Sequence, residues 1–134
     1  MMDRHNFGGC LCGAVRFETR GELREVIGCH CSQCRRQAGL YYAATDVSLE
    51  QFRLLEEATL AWYSASATAR RGFCSRCGSA LFWQAEGSDK ISVLAGAFDQ
   101  PSELKMGYHI YCDDKPDFYD LPDDGLSRYP QGRP

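Results

Sequence analysis

Eight cysteines, at positions 10, 12, 29, 31, 34, 74, 77 and 112, are the residues of this chain whose type and spacing most directly imply chemistry. Seven of them fall into tight groups: Cys10-Leu11-Cys12, Cys29-His30-Cys31-Ser32-Gln33-Cys34 and Cys74-Ser75-Arg76-Cys77. A disulfide demands a Cα separation and dihedral that such close neighbours reach poorly. The cysteine content also lies below the ~8–10% typical of disulfide scaffolds. Thiolates this close in sequence are good joint ligands for one small ion. The pattern therefore points to zinc, most simply two ions per chain held by seven cysteines.

Cys74-Ser75-Arg76-Cys77-Gly78 is the most specific unit. Two cysteines three apart can turn both sulfurs toward one ion in a knuckle, and Gly78 suits the position after it, where positive φ is often needed. A redox C-x-x-C would open a helix after a strand, whereas Ser79-Ala80-Leu81-Phe82-Trp83 reads as a strand. A structural zinc takes four ligands. The natural complement is Cys10 and Cys12, whose sulfurs would share a face in a regular strand with glycines on both sides. That gives one set of Cys10, Cys12, Cys74 and Cys77, although spacing alone also lets Cys10 and Cys12 join the middle group. The middle group offers three cysteines, Cys29, Cys31 and Cys34, and three protein ligands with an open position is the pattern of a catalytic zinc. An open site is expected to lose metal first. His30 stands between two proposed ligands, so its side chain should point away from the ion. Cys112 is read as a small buried hydrophobe in an aromatic strand.

A zinc ion with three thiolates is a weak Lewis acid but can keep a substrate thiol as a reactive thiolate. Free thiols, with pKa near ~8.5, are otherwise mostly protonated at neutral pH. Such a thiolate could attack a small carbonyl. Arg35, next to the third cysteine, could offset the negative charge or hold a substrate carboxylate. His109 could move a proton to the nascent hydroxyl, or could simply pack between Tyr108 and Tyr111. Tyr41, Tyr42, Trp83 and Phe98 could wall a pocket.

The elements that must position these residues are short. Alternation marks strands at Val15–Thr19, Glu25–Gly28, Tyr41–Thr45, Leu60–Tyr63, Arg71–Phe73, Leu81–Trp83, Ile91–Gly96 and His109–Cys112. Ser32 to Ala38 suits a short helix with Ser32 as N-cap and Gly39 as stop, and Leu49–Leu55 a helical turn leading into a strand. This predicts a mainly β fold with one short helix after the middle cysteine group. The 134 residues suit a single domain, residues 1–134, with a core over about 7–112 and a C-terminal tail, 113–134, wrapping the surface. The Asp-rich tail reads as a solvated face. With 44% hydrophobic and 25% charged residues and a net charge of −3, nothing suggests a nucleic-acid surface. No stretch approaches the ~18 apolar residues of a membrane helix, and no secretion signal is visible at the N-terminus. A reducing, cytoplasmic setting is expected.

The set Gly-Gly-Cys-x-Cys-Gly, Cys-His-Cys-x-x-Cys-Arg and Phe-Cys-x-x-Cys-Gly-Ser resembles the glutathione-dependent formaldehyde-activating family, also called the centromere protein V family. The resemblance runs from Gly8 to about Tyr129. It includes Ala95-Gly96 with Asp99, and His109-Ile110 followed by Asp113, Lys115 and Tyr119. It implies a β-rich, Mss4-like fold with two zinc sites: Cys10, Cys12, Cys74 and Cys77 structural, and Cys29, Cys31 and Cys34 on the substrate side. It also implies a carbon–sulfur lyase that joins formaldehyde and glutathione into S-(hydroxymethyl)glutathione. This chain is shorter than the founding members, with compact loops between the cysteine groups. The alternative is a non-catalytic glutathione or thiol carrier, or a zinc-stabilised module that binds a partner.

Overall fold

The computed structural model describes residues 4–134; positions 1–3 of the expected single domain lie outside the described residues. The mainly β expectation holds. The strands are β1 (His5–Gly9), β2 (Arg16–Arg20), β3 (Val26–Cys29), β4 (Tyr42–Ser48), β5 (Phe52–Glu56), β6 (Leu60–Ser64), β7 (Ala69–Cys74), β8 (Ala80–Ala85), β9 (Lys90–Leu94), β10 (Met106–Ile110) and β11 (Ser127–Arg128). The α-helix, α1 (Ser32–Ala38), follows the middle cysteine group. None of the described helices is long and apolar enough to cross a membrane.

A three-stranded sheet in the order β1-β2-β5 faces an eight-stranded sheet in the order β11-β10-β3-β4-β9-β8-β7-β6. Neighbours are antiparallel except at β3–β10 and β10–β11, which are parallel. The core lies where the small sheet covers the large one. Phe17 of β2 is fully buried. Its ring meets Phe82 and Phe98 edge-on at centroid distances of 5.6 and 5.3 Å, with Phe52 at 5.9 Å. Val15, Val47, Leu81, Ile91 and Val93 complete this cluster. Cys10 and Cys74 belong to it too, so one sulfur group is anchored in the main core. A smaller cluster of Cys34, Tyr42 and Ala44, with Cys29, Cys31, Trp83 and Leu94 packed against it, surrounds the other.

Four local readings change. Ile91–Gly96 is a strand only to Leu94, and Ala95–Ala97 is a 3-10 turn. The last predicted strand ends at Ile110: Tyr111 takes a left-handed conformation, φ 54°, and Cys112 opens a 3-10 turn. Cys112 is therefore a half-buried turn residue, not part of an aromatic strand. The tail does more than wrap the surface. β11 adds to the large sheet beside β10, with Tyr129 N–H bonded to His109 O at 2.9 Å and Cys112 N–H to Tyr129 O at 3.0 Å.

At the β3–β10 pairing Gly28 lies opposite His109. A Cβ on Gly28 would stand 2.8 Å from His109 Nδ1, so a side chain here is excluded by the ring. Gly28→Ala should cost roughly 1–3 kcal/mol in urea unfolding by forcing that ring aside. Gly96→Ala, with nothing within 4 Å of the new Cβ, should lie within about 0.5 kcal/mol of the parent.

Candidate metal centres

The four-cysteine group is built from two turns. β1 ends at Gly9, and the chain turns back through Cys10, with Gly13 N–H bonded to Cys10 O at 3.1 Å and Cys10 N–H to Val15 O at 3.1 Å. Cys10 and Cys12 thus lie on a turn, not on the regular strand expected, and it is the turn that swings both sulfurs to one side. The second turn leaves β7 at Cys74, and Gly78 N–H bonds Cys74 O at 2.8 Å. Gly78 has φ 80°, the left-handed conformation its position predicted.

The sulfurs of Cys10, Cys12, Cys74 and Cys77 all lie within 4.8 Å of one another. Cys10–Cys12 is 3.6 Å and Cys12–Cys74 is 3.8 Å. A tetrahedral ion with metal–sulfur bonds of about 2.3 Å has sulfur–sulfur edges of about 3.8 Å, so the donor set fits a zinc ion. Polar groups converge on the sulfurs: Val15 N–H reaches Cys10 Sγ at 3.2 Å, and the hydroxyls of Thr59 and Ser79 lie 3.3 and 3.2 Å from Cys74 and Cys77 Sγ. The Ser79 hydroxyl hydrogen bond leads in bringing the Cys77 thiol down to about 5, helped by backbone N–H groups. Such contacts favour the thiolate form that a metal requires.

The second group, Cys29, Cys31 and Cys34, also keeps its sulfurs within 4.8 Å. Cys29 ends β3, Cys31 precedes α1 and Cys34 lies in its first turn. The expected helix N-cap, Ser32, is displaced by one residue. Cys31 is the cap, with extended backbone and its Sγ accepting Cys34 N–H at 3.3 Å. The neighbouring Cys29 and Cys34 side chains, with backbone N–H groups of Cys34 and Gln33, hold the Cys31 thiol well below its ordinary range. Gly39 closes the helix as expected, its N–H on Arg35 O at 2.8 Å.

These three cysteines line a cavity of about 470 Å³; none of the other four does. Tyr42, Trp83, Ile27 and Ile110 supply apolar wall, and Arg24, Asp46 and Asp114 supply charge. Of the aromatics expected at a pocket, Tyr42 and Trp83 are on it, Phe98 is in the main core and Tyr41 packs on His30 with ring centroids 4.6 Å apart. The cation on the sulfurs is one that sequence reasoning passed over. Arg71 of β7, buried at 4% exposure, donates from Nη2 to Cys34 Sγ at 3.3 Å. Arg35 is half-buried on α1, with its Nε buried and unpaired among the described residues. Cys112 joins neither sulfur group.

His30 does point away from the cysteines flanking it. Its Nδ1 is 2.8 Å from Tyr119 Oη and its Nε2 is 2.9 Å from His109 Nδ1, while His109 Nε2 is 2.8 Å from Asp124 Oδ2. Both rings are fully buried. Burial, with His109 and Lys115 nearby, lowers His30 to about 4, so it is neutral at ordinary pH. The His109 hydrogen bond holds the Asp124 carboxyl below its usual range, so it accepts only. With His30 neutral and Asp124 accepting, the contacts are satisfied when Tyr119 O–H donates to His30 Nδ1, His30 Nε2–H to His109 Nδ1, and His109 Nε2–H to Asp124. His109 thus packs against His30 and Tyr41, not between Tyr108 and Tyr111. Asp124, read as part of a solvated face, closes the chain from the tail.

A mainly β scaffold with one closed and one cavity-facing cysteine group, each able to hold a metal, defines the class of protein. The chain belongs to the glutathione-dependent formaldehyde-activating enzyme family, whose profile matches residues 5–114. It is similar to a Schizosaccharomyces pombe protein named as an uncharacterized lyase, with 28% identity over 115 residues covering 85% of this chain and 83% of that one. It is also similar to a Halomonas elongata protein named "Putative glutathione-dependent formaldehyde-activating enzyme", with 30% identity over 127 residues covering 85% and 79%. A crystal structure of a Rhodobacter sphaeroides protein shares the fold, with a TM-score of 0.59 and 24% identity over 92% of this chain and 98% of that one.

Tyr119→Phe leaves His30 Nδ1 buried without a donor and should cost about 1–3 kcal/mol in denaturant unfolding. Asp124→Asn keeps an acceptor oxygen for His109 and should cost less than Tyr119→Phe in the same measurement.

Proposed function

We propose that this protein is a zinc-dependent carbon–sulfur lyase that joins a glutathione-type thiol to formaldehyde, giving an S-(hydroxymethyl) adduct. The observation that carries this reading is the grouping of Cys29, Cys31 and Cys34 on the wall of a cavity of about 470 Å³, a size suited to a small peptide thiol. Cys10, Cys12, Cys74 and Cys77 would hold a second zinc ion with no open position, tying the N-terminal turn to the β7–β8 turn. The names of the family and of the Halomonas relative support the choice of thiol and aldehyde.

A zinc ion on the three sulfurs would supply a position at which a substrate thiol is kept as its thiolate. The residues of the chain do the rest. Arg71 offsets part of the negative charge through its hydrogen bond to Cys34. Trp83, Tyr42, Ile27 and Ile110 exclude water from the reacting sulfur, and the Arg24–Asp46 pair, 3.0 Å apart, offers both signs of charge to a zwitterionic substrate. Arg35 lies on α1 and is not on the cavity wall, so it would meet only a substrate carboxylate that extends beyond the cavity. His109 is not on the cavity wall and both its ring nitrogens are engaged. It therefore acts by holding His30, and with it the backbone of Cys29 and Cys31.

Zinc-loaded protein should accelerate adduct formation from glutathione and formaldehyde, followed by NMR. Cys31→Ser should lower that acceleration at least about tenfold. Equal rates with and without protein would sink the assignment, and saturable glutathione binding without turnover would favour a thiol carrier. Metal analysis should give about two zinc ions per chain. A chelator should remove the ion of the three-cysteine site first, and Cys31→Ser should retain one ion.

A further inference from the structure

Arg71 presents a charge without an ordinary partner. It is 4% exposed. Among the described residues the ion pairs involve other side chains, and none reaches Arg71. Its Nε and Nη1 donate to the side-chain oxygens of Gln33 and Gln37, both at 2.8 Å, and Nη2 donates to Cys34 Sγ at 3.3 Å. The Tyr42 ring lies 4.9 Å from its guanidinium carbon. A guanidinium does not lose its proton in a protein, and burying it without a counter-charge is strongly unfavourable. Amide oxygens and a ring face orient and solvate the cation but do not neutralise it. The sulfurs beside it are the remaining source of negative charge.

Gln33 and Gln37 stand one turn apart on α1, on the side that meets β7. Together with Cys34 they take three of the five N–H groups of the guanidinium fork, which fixes its plane against the cysteine group. Arg71 also lines the cavity into which the sulfurs face. Three thiolates on a divalent ion sum to −1, and an incoming thiolate brings the total to −2. A fixed positive charge at contact distance in a wall of low dielectric acts on that step far more strongly than one in water.

We infer that Arg71 is the counter-cation of the three-cysteine centre and that its clamped guanidinium sets how readily the centre accepts the sulfur of an incoming thiol as a further anionic ligand. This rests on the reading of that centre as the thiol-binding site. Arg71 is a positioning and charge-compensating residue, acting through Cys34 and not on the carbonyl compound.

The test loads the full chain with cobalt(II), whose sulfur-to-metal absorption reports each added thiolate, and titrates it with 2-mercaptoethanol and with glutathione. Wild type, Arg71→Lys and Arg71→Gln are compared, with metal content and melting measured for each. The expected affinity order is wild type, then Lys, then Gln. Arg71→Gln should bind both thiols about tenfold or more weakly, a change of about 1.4 kcal/mol per tenfold. Arg71→Lys should be about threefold weaker, because a point charge cannot span the three acceptors. An unchanged thiol affinity in either variant that still holds its metal overturns the inference. Weakening confined to glutathione also overturns it, since that would make Arg71 a contact for the peptide carboxylates. Failure of the wild-type protein to take up any thiol would sink the reading of the site and this inference with it. Uptake by wild type at an affinity the variants share sinks this inference alone.

Discussion

The convergence of two short turns, far apart in the chain, is the constraint on which the rest of this structure depends. Cys12 and Cys74 are separated by 62 positions, yet their sulfurs lie 3.8 Å apart. Bringing them together requires β1 and β2 to fold onto the larger sheet, and the packing of Phe17 against Phe52, Phe82 and Phe98 provides the apolar burial that does so. Cys10 and Cys74 sit within that same core. Core packing and a shared metal would thus reinforce each other, because a site assembled from distant segments exists only in the folded chain.

The two cysteine groups are handled differently by the backbone. In the four-cysteine group, N–H groups and hydroxyls reach the sulfurs from the cysteine turns and from Thr59, between β5 and β6. In the three-cysteine group a helix does this work: Cys31 caps α1 with its sulfur, placing negative charge at the end of a helix where N–H groups are unpaired. The same helix presents Gln33 and Gln37 to Arg71 from a strand of the large sheet. Helix and sheet therefore meet at a buried charge, next to the cavity.

The C-terminal segment is part of this arrangement. β11 extends the large sheet beside β10, and Tyr119 and Asp124 end the hydrogen-bonded chain through His30 and His109. That chain accounts for two buried histidines with every ring nitrogen engaged. It also links the tail to the residue between Cys29 and Cys31.

The sequence by itself determined which seven cysteines form groups able to hold a metal, because the closeness of ligands a few residues apart is a local property of spacing. It also determined the mainly β class, the helix after the middle group, its glycine stop and the left-handed turn at Gly78, all of which follow from nearest-neighbour geometry. Tertiary structure alone decided that Cys10 and Cys12 join Cys74 and Cys77, since spacing allowed either pairing and only the fold of β1 and β2 over the large sheet chooses one. It alone supplied Arg71: a strand arginine beside a glycine looks like a surface residue until α1 is laid across it. It moved His109 behind the cysteine group and turned Asp124 from a solvated charge into a buried ring's acceptor, because the parallel β3–β10 pairing and the returning tail are long-range contacts that leave no periodic trace in the chain.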